Sequence, residues 1–117
     1  MTENKLLKPP KVDEDLLNEI VSRVVPAIHP LKIILFGSWA YGKPEKDSDL
    51  DILVIVDHLA TTRREMRVKI RGILRSLLLS KDIVVASSKD IEEWKNVPQA
   101  FISTILKKGR VIYERED

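Results

Sequence analysis

The apolar positions at the start of the chain recur with the spacing of an amphipathic helix. The pattern predicts a helix over residues 13–25, with Asp13 as its N-cap and Pro26 at its end, because proline cannot continue the helical hydrogen-bond ladder. The positions that set the spacing are Leu16, Leu17, Ile20, Val21 and Val24. Residues 1–11 are polar, and we expect a flexible arm there, ahead of a single domain over residues 12–117.

Two short runs are apolar almost throughout, which is typical of strands buried on both faces. They cover residues 32–36 and 49–56. Between them lie Gly37-Ser38, a predicted helical turn at residues 39–41 and a polar loop. Residues 83–86 predict a third strand and residues 111–113 a last edge strand.

The longest helical pattern covers residues 61–79. Its apolar stripe consists of Met66, Ile70, Ile73, Leu74, Leu77 and Leu78. Thr61 or Thr62 is a candidate N-cap, and Glu65 lies at capping-box distance from Thr62. Four arginines recur every four residues on another side of this helix: Arg63, Arg67, Arg71 and Arg75. They form either a solvated face or a surface for a partner protein or RNA.

Two shorter helices are predicted near the end of the chain. Ser87 or Ser88 caps the first, which runs to Trp94, and Pro98 begins the second, which runs to Leu106 before Gly109. We expect Trp94 and Phe101 to be core or lid residues. Strands interleaved with helices predict an α/β or α+β domain with three to four strands.

Composition narrows the functional classes. The 117 residues include no cysteine, which excludes thiolate metal sites, catalytic thiols and disulfides, and favours a reducing, cytoplasmic location. His29 and His58 are too far apart in sequence to form a zinc site by spacing. The net charge of +2 is too small to indicate a nucleic-acid partner. We do not expect direct nucleic-acid binding. No apolar stretch approaches the ~20 residues of a membrane span.

Two aspartates separated by Leu50 open the second apolar run. Because side chains alternate along a strand, we expect Asp49 and Asp51 to point the same way, with Cα atoms roughly 6.5 Å apart. Their carboxylates could share one Mg²⁺ or bridge two ions. Without a cation between them, each would disfavour ionisation of the other. The alternative is a turn cap followed by a solvated aspartate.

The turn at Gly37-Ser38 supplies a candidate phosphate site. Glycine lets the backbone approach a ligand closely, and Ser38 offers a hydroxyl and an N–H. A helical turn beginning at Trp39 would add free amides that favour an anion. Taken alone, Gly-Ser after a strand is an ordinary turn. Together with the two aspartates, it predicts a nucleoside triphosphate held for phosphoryl or nucleotidyl transfer.

The order Gly37-Ser38, ten residues, then Asp49-Leu50-Asp51 resembles the Gly-Ser-x10-Asp-x-Asp signature of the DNA polymerase β-like nucleotidyltransferase superfamily. The short chain is similar to the minimal nucleotidyltransferases of that group. The resemblance implies a small mixed sheet flanked by helices, two Mg²⁺ ions, ATP or another nucleoside triphosphate, and transfer of a nucleoside monophosphate with release of pyrophosphate. It also implies a third carboxylate on a following strand, which matches Asp82. Without the resemblance, Asp82 reads equally well as a turn residue that opens a strand.

One position departs from the family pattern. Many minimal members have arginine where this chain has Tyr41, and tyrosine cannot neutralise a phosphate. Lys43 and Lys46 on the adjoining loop are candidates to replace that charge and complete the nucleotide-binding set with Gly37 and Ser38.

Small free-standing proteins of this kind resemble the MntA-type antitoxins encoded beside HEPN ribonuclease toxins. The resemblance implies transfer of AMP to a toxin tyrosine, and a hetero-oligomer with the toxin. A homodimer is another way to recognise the acceptor. Two alternatives stay open: an antitoxin that neutralises by binding alone, and nucleotidyl transfer to a small-molecule hydroxyl.

Overall fold

The computed structural model describes residues 11–45 and 48–116, and helices and strands interleave along them as predicted. The helices are α1 (Glu14–Ile28), α2 (Ser38–Tyr41), α3 (Arg63–Ile73), α4 (Ser88–Trp94) and α5 (Phe101–Lys108). The strands are β1 (Lys32–Phe36), β2 (Leu50–Val56), β3 (Lys81–Ser87) and β4 (Arg110–Glu114). Among the described residues, no helix is both long and apolar enough to cross a membrane. The predicted arm falls outside the described residues except for Lys11.

The strands form one mixed sheet in the order β3-β2-β1-β4. β1 runs antiparallel to β2 and to β4, whereas β2 and β3 run parallel. The prediction of a small mixed sheet is confirmed. The start of β2 therefore lies beside both the end of β1 and the start of β3, so residues from three segments meet at one edge of the sheet.

Helices cover both faces of the sheet, and the strand period of two decides which side chain faces which helix. Leu50, Ile52 and Val54 pack with buried residues of α1 and α3 on one face. Leu53 and Ile55 pack on the other face, with the buried Ile105 of α5. Burial on both faces accounts for the almost wholly apolar sequence of β2.

The first helix extends beyond the predicted end at Pro26. Asp13 is its N-cap, as predicted, and its carboxylate accepts a hydrogen bond from the Leu16 N–H at 3.0 Å. Proline removes only its own N–H bond, and the following turn closes when the His29 N–H donates to the Val25 carbonyl at 2.9 Å. The helix ends at His29, whose φ of 54° is left-handed, immediately before Pro30.

Helix α3 begins as predicted and ends earlier. Thr62 is its N-cap and accepts a hydrogen bond from the Glu65 N–H at 3.1 Å. The helix stops at Ile73, because the segment to residue 79 forms turns stabilised from outside the helix. Lys81 Nζ donates to the carbonyls of Leu77 and Leu79 at 2.8 and 2.9 Å. Consequently Arg75 lies beyond the helix that carries the other three arginines of the stripe, and Leu78 is exposed.

Strand β3 is longer than predicted and leads directly into α4. Ser87 is the N-cap of α4 and forms a reciprocal capping box with Asp90. The predicted helix start at Pro98 is wrong: a turn in which the Ala100 N–H donates to Val97 O precedes α5. Gly109 ends α5, as predicted.

Trp94 and Phe101 are not core residues. Their exposed fractions are 47% and 56%, although the Phe101 ring packs edge-on against the buried Phe36 with ring centroids 5.5 Å apart. The two aromatic residues lie on helices that cover the sheet only partly, which the helical spacing alone does not reveal.

Candidate active site

The strand register brings two of the predicted carboxylates together at the edge of the sheet. Asp51 pairs with Asp82 across the parallel β2–β3 ladder and with Phe36 across the antiparallel β1–β2 ladder. Neighbouring strands lie about 4.8 Å apart. By the strand alternation, Asp51 and Asp82 share the face that α5 covers. Asp49 is exposed and precedes β2 instead of opening it.

Asp51 is the carboxylate that this arrangement perturbs. Burial raises the pKa of Asp51 from 3.8 to about 6, and the negative charges of Asp82 and Asp49 add to the rise. Within the described ranges, no lysine or arginine forms an ion pair with any of the three. The result is an acidic site whose negative charge no ion pair among the described residues neutralises.

Such a donor set fits a hard divalent cation. Carboxylate oxygens are the ligands that Mg²⁺ prefers, and a cation would relieve the repulsion that raises the pKa of Asp51. In the arrangement of residues 11–45 and 48–116, no three acidic, histidine or cysteine side chains are gathered closely enough to enclose an ion.

Gly37 makes room for the Asp51 carboxylate. Its backbone has a φ of 75°, which side chains rarely tolerate. A Cβ added there would overlap Asp51 Oδ2 and lie 3.0 Å from Asp51 Cγ. The sequence predicted Gly37 as a place where backbone approaches a ligand. The structure adds a direct contact between the Gly-Ser turn and the acidic site.

The turn after Gly37 also holds the loop that leads to Asp49. As predicted, it is helical, covering Ser38–Tyr41, and the Gly37 carbonyl accepts from the N–H groups of Ala40 and Tyr41 at 3.0 and 3.1 Å. The Trp39 Nε1–H donates to the Ser48 carbonyl at 3.1 Å. Sequence reasoning did not find this role of Trp39, because nothing in the local pattern indicates a partner nine residues away.

The lysines near the site divide into three groups. Lys43 is exposed on the loop, and Lys46 lies outside the described residues. Lys81 adjoins Asp82, but it donates to two carbonyls; burial, and then the charge of Arg71, lower its pKa. Lys108, which the sequence did not single out, places its Nζ 6.0 Å from the Tyr41 ring centroid.

Sequence comparison gives matches over most of the chain. The family model described as "Polymerase beta, Nucleotidyltransferase" matches residues 18–117. The candidate protein adenylyltransferase MJ0604 of Methanocaldococcus jannaschii is 34% identical over 84 residues, which cover 70% of this chain and 77% of the relative. MJ1305 of the same organism, also a candidate protein adenylyltransferase, is 28% identical over 116 residues, covering 91% and 78%.

Three solved structures share the fold. A candidate nucleotidyltransferase from Sulfolobus solfataricus has a TM-score of 0.60 at 22% identity, over 89% of this chain and 82% of the other. A toxin–antitoxin structure with AMP-PNP has a TM-score of 0.52 at 19% identity, over 90% and 76%. A mutant of the toxin–antitoxin MntA-HpeT gives 0.51 at 17% identity, over the same shares.

Proposed function

The chain belongs to the polymerase beta nucleotidyltransferase family, and we propose that it transfers AMP from ATP to a hydroxyl group of a partner protein. The relatives that are candidate protein adenylyltransferases support this acceptor class. The fold shared with toxin–antitoxin structures supports a toxin as the partner. We propose a tyrosine of a HEPN ribonuclease as the acceptor, so that the modification inactivates the toxin.

The observation that carries the proposal is the meeting of Gly37, Asp51 and Asp82 at one edge of the sheet. In this proposal Asp49, Asp51 and Asp82 hold two Mg²⁺ ions. When bound, the metal supplies charge that neutralises the phosphate oxygens and favours departure of pyrophosphate. Gly37 and Ser38 lie against the nucleotide, with Lys43 and Lys46 as further candidates on the adjoining loop.

The protein's own groups account for the remaining steps. The acceptor oxygen attacks the α-phosphorus, a new oxygen–phosphorus bond forms, and the bond from the α-phosphorus to the pyrophosphate oxygen breaks. Asp82 is exposed, so its carboxylate can reach an incoming hydroxyl and accept its proton. Asp51 is partly buried against Gly37, which suits a group that holds position while the acceptor approaches from solvent.

The test is transfer of label from α-³²P-ATP to a purified HEPN ribonuclease in the presence of Mg²⁺. We expect label on the toxin with the wild-type chain and a loss of at least ~100-fold with Asp51→Asn, because one removed catalytic interaction costs that much or more. Asp57→Asn is the matched control. It follows the far end of β2 and pairs with Arg115 at 3.0 Å, away from the acidic edge.

Each alternative predicts a different result. Neutralisation of the ribonuclease without label, equally well by Asp51→Asn, would make this an antitoxin that acts by binding. Release of pyrophosphate with a small hydroxylated acceptor and no protein would indicate a small-molecule substrate. Labelling that persists in Asp51→Asn would remove Asp51 from the mechanism.

A further inference from the structure

A lysine remote in sequence lies beside the turn that borders the acidic site. Lys108 is the last residue of α5, and Tyr41 is the last residue of α2. The Lys108 ammonium lies 6.0 Å from the centroid of the Tyr41 ring, which is the distance range of a cation–π contact. Tyr41 is 46% exposed, so the pair is open to a ligand from solvent.

The end of α5 is fixed at this edge of the sheet by packing. Ile105 is fully buried on the face shared with Asp51. One turn later, Gly109 is so close to β1 that an added Cβ would lie 2.5 Å from Ile34 Cγ2 and 3.0 Å from the Leu35 carbonyl. Lys108, between them, therefore projects from a helix whose end is held against the last residues of β1, immediately before Gly37.

The charge of Lys108 is available to a ligand. Among the described residues, neither Lys107 nor Lys108 forms an ion pair with a carboxylate. An exposed cation–π contact contributes only about 0.5–1 kcal/mol, so it orients the ammonium without competing strongly with an anion. Lys81, another lysine close to the acidic edge, already donates to two carbonyls.

We propose that Lys108, oriented by the Tyr41 ring, binds the β- and γ-phosphates of the nucleotide. This inference rests on the proposed function. It names the residue of the same site that contacts the phosphates leaving as pyrophosphate. At the acidic edge the Lys81 ammonium already donates to two carbonyls, whereas pyrophosphate gains negative charge as it leaves. An ammonium beside Tyr41 would balance part of that charge.

The test compares Lys108→Gln with Lys107→Gln. Both variants remove one exposed charge from the last turn of α5, so they share any effect on helix stability. We expect Lys108→Gln to raise the KM for ATP about 10-fold, which is one lost charge–phosphate contact of about 1.4 kcal/mol, and to leave the affinity for AMP within about twofold of wild type. Lys107→Gln should leave both within about twofold.

A second variant separates charge from structure. Adding Tyr41→Arg to the Lys108→Gln protein supplies a new cation close to the position of the lost ammonium. It should therefore restore the KM for ATP to within about threefold of wild type. If Lys108 acted only through the packing of α5, Tyr41→Arg would lower the KM for ATP by the same factor with and without Lys108, and that result would overturn the proposal.

The two proposals fail in different ways. Wild-type transfer with an unchanged KM in Lys108→Gln overturns the role of Lys108 and leaves the proposed function standing. Binding of ATP that depends on Lys108, in a protein that transfers no AMP, overturns the proposed function and supports the phosphate contact. A wild-type protein that binds no ATP in the presence of Mg²⁺ overturns both.

Discussion

Replacing Asp51 with asparagine should make the metal-free protein more stable while abolishing its activity. Asp51 is a partly buried carboxylate with Asp82 directly across the strand and Asp49 nearby. Asparagine has nearly the same shape and carries no charge, so it resembles the protonated aspartate. The variant therefore removes a repulsion that would otherwise be relieved by a bound cation or by protonation.

The size and sign of the effect follow from the pKa of Asp51. It is 3.8 in the unfolded chain and about 6 in the folded protein. A raised carboxyl pKa means that the folded state binds the proton more tightly, so the contribution is fully present below pH 3.8 and is lost as the pH rises through 6. This pKa rise of slightly more than two units corresponds to about 3 kcal/mol of unfolding free energy. Water screens this partly exposed group, so we expect about 1–2 kcal/mol.

Thermal unfolding in EDTA measures the difference. At pH 8 the Tm of Asp51→Asn should exceed that of the wild type by about 4–8 °C. At pH 4.5 the difference should be smaller, because Asp51 of the folded wild type is then protonated, and it should approach zero only below pH 3.8, where the unfolded chain is protonated as well. Mg²⁺ at pH 8 should raise the Tm of the wild type more than that of the variant.

Asp57→Asn is the matched control, since it loses an ion pair with Arg115 and should gain no stability. An Asp51→Asn protein that is less stable than wild type at pH 8, or equally shifted at both pH values, would show that the carboxylates do not repel as argued.

Four further substitutions test single contacts at the site and elsewhere in the fold. Gly37→Ala should lower the unfolding free energy by about 2–3 kcal/mol and reduce AMP transfer, because the backbone φ there is 75° and the new Cβ would overlap Asp51. Gly72→Ala, which has open space around it in α3, should instead raise the unfolding free energy by about 0.5–1 kcal/mol. Trp39→Phe keeps an aromatic ring in place and loses the hydrogen bond to the Ser48 carbonyl. We therefore expect a clear loss of AMP transfer with only a small loss of unfolding free energy. Ser87→Ala loses its capping box and about 1 kcal/mol in urea unfolding, with transfer unchanged. Equal stabilities of Gly37→Ala and wild type, a Trp39→Phe protein with full transfer, or an unchanged midpoint for Ser87→Ala would each contradict the corresponding contact.

Local patterns predicted the elements better than their ends. The strand at residues 32–36 and the N-cap residues Asp13 and Thr62 follow from side chains and their immediate neighbours, and all three are confirmed. The segment after α3 forms turns instead of continuing the helix, and Lys81 binds two of its carbonyls. A helical pattern that continues through residue 79 contains no sign of that contact.

The candidate site was predictable only where its residues give a local signal in the sequence. The spacing of Gly37-Ser38 from Asp49 and Asp51 is a local signal, and it was found from the residues. Asp82 came from the family resemblance, because its closeness to Asp51 depends on the register of two parallel strands joined by a helix. The contact of Lys108 with Tyr41 depends on how α5 returns to β1, which no local pattern encodes.

The strand register also changes the meaning of the spacing in the sequence motif. Because Phe36 pairs with Asp51 in an antiparallel ladder, Gly37 would lie beside Asp51 for many lengths of the intervening chain. The intervening residues have a different effect: they form α2, and Trp39 binds the carbonyl of Ser48, the residue before Asp49. The Gly-Ser turn thus leaves volume for one carboxylate and begins the helical turn that positions the other. The Gly-Ser half, which we propose to bind phosphate, and the aspartate half, which we propose to bind metal, are joined by these contacts, so a substitution in either half should disturb both.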